Sequence, residues 1–161
     1  MTGKTISLFA VALWGVTFLF AGVYVWRDKT VVASDHRKEI PLSNHQRDLV
    51  LTEMRGVLNS LNGILLGLSE GNLGNVEQAA RASGMKMAAD DSAGLIAKLP
   101  KEFKQMGFGL HKDFDALADA VKAGENAAQL LDRTAKLTSR CNGCHSVYRL
   151  GLEKTAAPTN P

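Results

Sequence analysis

The chain has 161 residues, room for one domain around one core, and 45% of them are apolar, an ordinary share for a globular protein. Lys and Arg total 19 against 16 Asp and Glu, a formal charge of +3, so the strongly basic footprint of a nucleic-acid-binding protein is excluded. With two cysteines in the whole sequence, a disulfide scaffold is excluded as well.

The first element is an uncharged run from Ile6 to Trp26. As a helix its residues would rise roughly 30 Å, enough to cross the hydrocarbon core of a bilayer. Tyr24 and Trp26 stand at its outer end, where aromatic rings favour the interface. The expectation is a single-pass transmembrane anchor over residues 1–26. The alternative is a cleaved export signal, with Val31-Val32-Ala33 before Ser34 as a small-residue cleavage site.

Residues 27–42 are polar, lack a sustained period and hold Pro41 near their end, so they read as a linker. Ser43 or Asn44 then caps a helix A, in which Leu51, Met54, Leu58, Leu61, Leu65 and Leu68 recur at spacings of three and four. Gly71 suits a left-handed cap at its end. Helix B is expected from Leu73 to Asp90, with Val76, Ala79, Ala80, Ser83 and Met87 forming a face of mostly small side chains. Helix C follows Pro100, with Phe103, Met106, Leu110, Phe114, Leu117 and Val121 on its buried face, and Gly107 and Gly109 marking a kink or a close contact. Helix D starts near Glu125 and carries Leu130, Leu131, Leu137, Cys141, Cys144, His145 and Tyr148; the tail after Glu153 reads as disordered. Four helical patterns on short connections, without an alternating strand, predict an all-α antiparallel four-helix bundle over residues 43–152, preceded by the transmembrane helix.

Both cysteines lie in Cys141-Asn142-Gly143-Cys144-His145. A thioredoxin-type pair would follow a strand in a βαβ pattern, and half of a zinc site would need two further ligands, but His36, His45 and His111 show no matching spacing. Two cysteines followed at once by His read instead as the attachment site of one covalent haem c, with Cys141 and Cys144 as the thioether donors and His145 as an axial iron ligand. On a helix the spacings of three and four put all three side chains on one face.

The late C-x-x-C-H, followed by Tyr148 and Arg149 in CNGCHSVYR, resembles the class II cytochromes c, the cytochrome c′ family. The resemblance spans roughly Ser43 to Leu152 and implies a four-helix bundle with the haem held in its last helix. It also implies that helix A reaches the second axial position. Low-spin members place a methionine there, and Met54 stands in the apolar stripe of helix A as that pattern requires. The other reading of Met54 is a core residue; Met87, Met106, His111 or an open position are then the alternatives. Arg149 corresponds to a basic residue near the haem in the family, or is a solvated cation near a helix end. The apolar N-terminal run departs from freely diffusing members.

The function expected is one-electron transfer without enzymatic turnover, on the periplasmic side of a bacterial inner membrane, with redox proteins of a respiratory chain as partners. Thioether formation outside the bacterial cytoplasm sets that orientation. The alternatives are a five-coordinate haem that binds NO or CO, and a haem-bearing subunit of a larger membrane complex; a homodimer is compatible with each.

Overall fold

A computed structural model describes residues 3–26, 29–88 and 93–153, with side chains for 9–24, 29–88 and 93–153. The elements run α1 (Gly3–Trp26), β1 (Val31–Val32), β2 (Lys38–Leu42), α2 (Asn44–Glu70), α3 (Leu73–Ala82), α4 (Met85–Ala88), α5 (Ala93–Lys98), α6 (Lys101–Lys122), α7 (Ala127–Val147) and β3 (Tyr148–Leu152).

The start and end of α2 follow from local chemistry. Gln46 N–H donates to Ser43 Oγ at 3.3 Å while Ser43 N–H donates to Gln46 Oε1 at 3.2 Å, a reciprocal capping box. Gly71 closes the helix at φ 69°, a left-handed conformation that glycine adopts without steric cost. An equivalent box between Asn126 and Gln129 starts α7.

The expected helix B is interrupted. Asp115 of α6 accepts the Met85 N–H at 2.8 Å, and a side chain at Gly84 would collide with its carboxylate. The chain therefore breaks at Ser83 and Gly84 and restarts as α4. In contrast, α6 runs through Gly107 and Gly109 without interruption.

The fold expectation needs two corrections. First, the domain is not all-α: a three-stranded sheet in the order β1-β2-β3 accompanies the helices. β1 pairs with β2 antiparallel, and β2 pairs with β3 in parallel, from Lys38↔Tyr148 to Leu42↔Leu152. The stretch read as a linker thus forms β1 and β2, and the end of helix D becomes β3. A parallel pair needs a long crossover, and here α2 to α7 supply it. The sheet fastens the entry of the helical domain to its exit.

Second, among the described residues no helix is long and apolar enough to cross a membrane. Side chains are described for residues 9–24 of α1, all of them exposed. The remaining side chains of the Ile6–Trp26 run lie outside the described residues. The transmembrane helix and the single-pass inner-membrane placement are corrected accordingly. The tail expected after Glu153 lies outside the described residues.

Two apolar clusters fill the domain. Ile64, Val76, Ala80, Phe114, Leu117, Ala118 and Leu137 join α2, α3, α6 and α7. Here α2 and α3 approach closely: a methyl at Gly67 would stand 2.8 Å from Val76 Cγ2 and 3.0 Å from the Asn72 carbonyl O. At the sheet end, Ile40, Leu42, Val50, Leu95, Leu99, Phe103 and Tyr148 form the second cluster, with Phe103 and Tyr148 edge to face at 5.5 Å. Met54, Met106, Cys144 and Leu150 pack against it from the side.

Candidate functional site

Cys141, Cys144 and His145 all stand in the last two turns of α7. Both cysteines are free and half-buried, and His145 is exposed. Burial pushes both thiols up from their ordinary range, and for Cys144 the nearby Cys141 adds to the effect. A thiol kept protonated lacks the thiolate character of a reactive redox cysteine.

Beside this turn a cavity of about 170 Å³ opens to the surface, lined by Arg37, Arg47, Leu51, Met54, Phe103, Cys144, His145, Tyr148, Arg149 and Leu150. The antiparallel run of α2 and α7 brings Met54 to the same cavity as Cys144 and His145. Cys141 stands outside the lining, as do the alternative ligands Met87, Met106 and His111. Met87 lies against Gly56, where an added Cβ would come 2.5 Å from its Cε. His111 is buried and otherwise engaged: its Nδ1 lies 2.8 Å from the Ser83 carbonyl O and its Nε2 lies 3.0 Å from Glu53 Oε1.

Arg149 lines the cavity but is placed differently from the expectation. It belongs to β3 and not to a further turn of α7, because Tyr148 already turns extended at φ −116°, ψ 150°. Its Nε lies 3.1 Å from Glu39 Oε2 and its Nη1 3.7 Å from Asp35 Oδ2. The residue pointed to by the resemblance is thus matched by two carboxylates.

Sequence reading missed Arg37 and Arg47. Arg37 donates from Nε and Nη2 to Asp35 Oδ2 at 2.9 and 2.7 Å, and from Nη1 to the His145 carbonyl O at 3.2 Å. These hydrogen bonds, followed by the one from the Arg37 backbone N–H, hold the Asp35 carboxyl below its usual range. Arg47 is half-buried in the first two turns of α2, and no carboxylate among the described residues lies within ion-pair distance of it. Polar residues in a loop and on a helix start carry no periodic signal, so only the tertiary arrangement reveals them.

The site thus has an apolar floor, from Leu51, Met54, Phe103 and Leu150, and a cationic rim from Arg37, Arg47 and Arg149. With Arg37 and Arg149 already matched by Asp35 and Glu39, the apolar floor and Arg47 suit a ligand with an apolar body and an anionic substituent. The cavity is smaller than the about 300–1,000 Å³ usual for a whole cofactor. Among the described residues no group of three or more His, Cys, Asp or Glu is placed to hold a metal ion by itself. A search of protein-family models, of curated proteins and of solved structures gave no match to this chain.

Proposed function

We propose that this protein is a c-type haem protein that carries single electrons, similar in plan to the class II cytochromes c. The observation that carries the reading is the meeting of Met54, from α2, with Cys144 and His145, from α7, at one cavity. The C-x-x-C-H order of residues 141–145 supports it.

The donor set fits the group. Cys141 and Cys144 would each add across one vinyl substituent, sulfur to one carbon and hydrogen to the other, with no net oxidation. His145, whose imidazole is exposed, and Met54, with its thioether, would hold the iron. A porphyrin supplies four of the iron's ligands, so two protein ligands suffice without a larger metal cluster. Arg47, which lacks a described carboxylate partner, suits the anionic edge of such a group, and Leu51, Phe103 and Leu150 exclude water from its faces.

When bound, haem supplies an iron that alternates between ferrous and ferric states. Held on the packed helices α2 and α7, Met54 and His145 would keep their donors in place, which would limit rearrangement. An apolar floor disfavours the extra ferric charge and raises the potential, as does thioether ligation. The exposed His145 edge leaves a short route to a redox partner, and no side chain is required as acid, base or nucleophile.

One observation favours a second reading. Leu51 lines the same cavity one helical turn from Met54, and an apolar residue opposite His145 would leave the iron open for NO or CO. Absorption and electron paramagnetic resonance of the purified protein, produced with a haem-attachment apparatus, separate the two. A low-spin ferric signal with a near-infrared sulfur-to-iron band supports electron transfer; a high-spin signal and ready ferrous CO binding support the second reading. A protein that carries no haem contradicts both.

A further inference from the structure

The last carbonyls of a helix have no partner within it. In α7 the Tyr148 N–H takes the Cys144 carbonyl, but Arg149, whose N–H would take the His145 carbonyl in a continuing helix, already belongs to β3. Arg37 fills that place: its Nη1 donates to the His145 carbonyl O at 3.2 Å and reaches the Tyr148 carbonyl O at 3.5 Å.

The arginine is itself fixed. Asp35 Oδ2 accepts from Nε and Nη2, and Asp35 Oδ1 accepts from the Arg37 backbone N–H at 3.2 Å. Between them His36 adopts φ 64°, a left-handed conformation unfavourable for a residue with a Cβ. Two backbone hydrogen bonds close the turn, Ala33 N–H to the Arg37 carbonyl O at 2.9 Å and His36 N–H to the Ala33 carbonyl O at 3.0 Å. Strain of this kind persists where surrounding contacts over-determine it, and it concentrates at functional sites. The register Lys38↔Tyr148 sets the turn directly beside the end of α7. Sheet pairing and guanidinium thus grip the same helical turn, the one that presents His145.

From this geometry we infer that Arg37, anchored by Asp35 across the strained His36, is a positioning residue for His145: it fixes the proximal ligand's turn and sets a cation beside it. The inference rests on the haem reading above. A planar fork does both things, since two nitrogens engage Asp35 while the third engages α7. The cation also suits the negative end of the helix dipole and opposes positive charge on the iron, so its removal lowers the reduction potential.

The test uses the full-length holoprotein and two readouts, the reduction potential and the ferric g-values, the latter reporting ligand orientation whichever residue stands opposite His145. Arg37→Gln is expected to keep covalent haem, lower the potential and shift the g-values. Arg37→Lys, which keeps the charge without the fork, is expected to restore part of the potential but not the g-values. Asp35→Asn keeps the arginine and loosens its anchor, so it is expected to shift the g-values even if Arg37→Gln fails to fold. Arg37→Gln and Asp35→Asn that lose thermal stability alone, with potential and g-values unchanged, overturn the inference while the haem reading stands. A parent protein without covalent haem overturns that reading and this inference with it.

Discussion

Glu53 and His111 meet across α2 and α6, with Oε1 3.0 Å from Nε2 and the imidazole buried, one residue before Met54. On its other side the ring donates to the Ser83 carbonyl O, and Ser83 Oγ donates to Ser60 Oγ at 2.8 Å. A histidine read from sequence as an alternative ligand is therefore a buried strut between α2, the α3 end and α6. His111→Ala leaves the Ser83 carbonyl and the Glu53 carboxylate without this partner. We predict a loss of about 2–3 kcal/mol in urea unfolding, below the about 3–5 kcal/mol for a fully buried pair because Glu53 keeps some contact with water. A loss under about 0.5 kcal/mol would show that the strut contributes little.

Gly67 and Gly107 should respond to alanine in opposite senses. At Gly67 the added Cβ meets the side chain and backbone N of Val76 and the carbonyl of Asn72, so Gly67→Ala is expected to destabilise by about 1–3 kcal/mol. Nothing lies within 4 Å of a Cβ at Gly107, inside α6, so Gly107→Ala is expected to stabilise by about 0.5–1 kcal/mol through helix propensity. Thermal unfolding of the two variants beside the parent checks both signs.

Asp35 sets a pH dependence. Hydrogen bonds from Arg37 lower its folded-state value beneath the ordinary 3.8, so its contribution is present above that pH and is lost as pH falls through the lower, folded value. Glu125, lowered chiefly by its hydrogen bonds from Arg133 at 2.7 and 2.6 Å, acts in the same direction. Asp35→Asn is therefore expected to flatten the acid limb of the stability curve and to leave its slope near neutrality unchanged. An acid limb as steep as the parent's would show that Asp35 titrates alike in both states.

Much of the helical plan was legible because local chemistry decides it. Ser43 with Gln46 and the left-handed Gly71 bound α2, and the three-and-four spacing of apolar residues marks the buried face of α6. In α2 the same spacing misleads: Leu58 and Leu65 of the expected stripe are exposed, and the buried residues are Val50, Ser60, Ile64 and Gly67, because the small residues Ser60 and Gly67 let neighbouring elements approach. The sheet was not legible. β2 shows two buried apolar residues, Ile40 and Leu42, around a proline, and its partner β3 lies at the far end of the domain. Tyr148 sits four residues after Cys144, a spacing that suits a helix as well as the start of a strand. Arg149 was consequently expected on a helical turn and stands in β3. At the site, Cys144 and His145 could be named from the C-x-x-C-H order, which holds both cysteines of the chain, and Met54 from the family resemblance, whereas Arg37 and Arg47 are common surface residues given meaning by tertiary placement.

Met54 is expected to supply the sixth iron ligand. Met54→Ala should turn a low-spin ferric haem high-spin or water-ligated, lower the reduction potential and make the ferrous form bind CO readily, with covalent attachment intact. Leu51→Ala, altering the same cavity without removing a donor, should stay low-spin. If the parent is already high-spin and binds CO as readily as Met54→Ala, Met54 is a packing residue and the gas-binding reading takes first place.

The most direct test of the central claim is the intact mass of the denatured chain after production with a haem-attachment apparatus, measured for the parent and for a variant with both Cys141→Ala and Cys144→Ala. The account predicts a parent heavier by one haem, with peroxidase staining that survives denaturing electrophoresis, and a double variant at the mass of the bare polypeptide. A parent at the bare mass, or a double variant that keeps covalent haem undiminished, would contradict it.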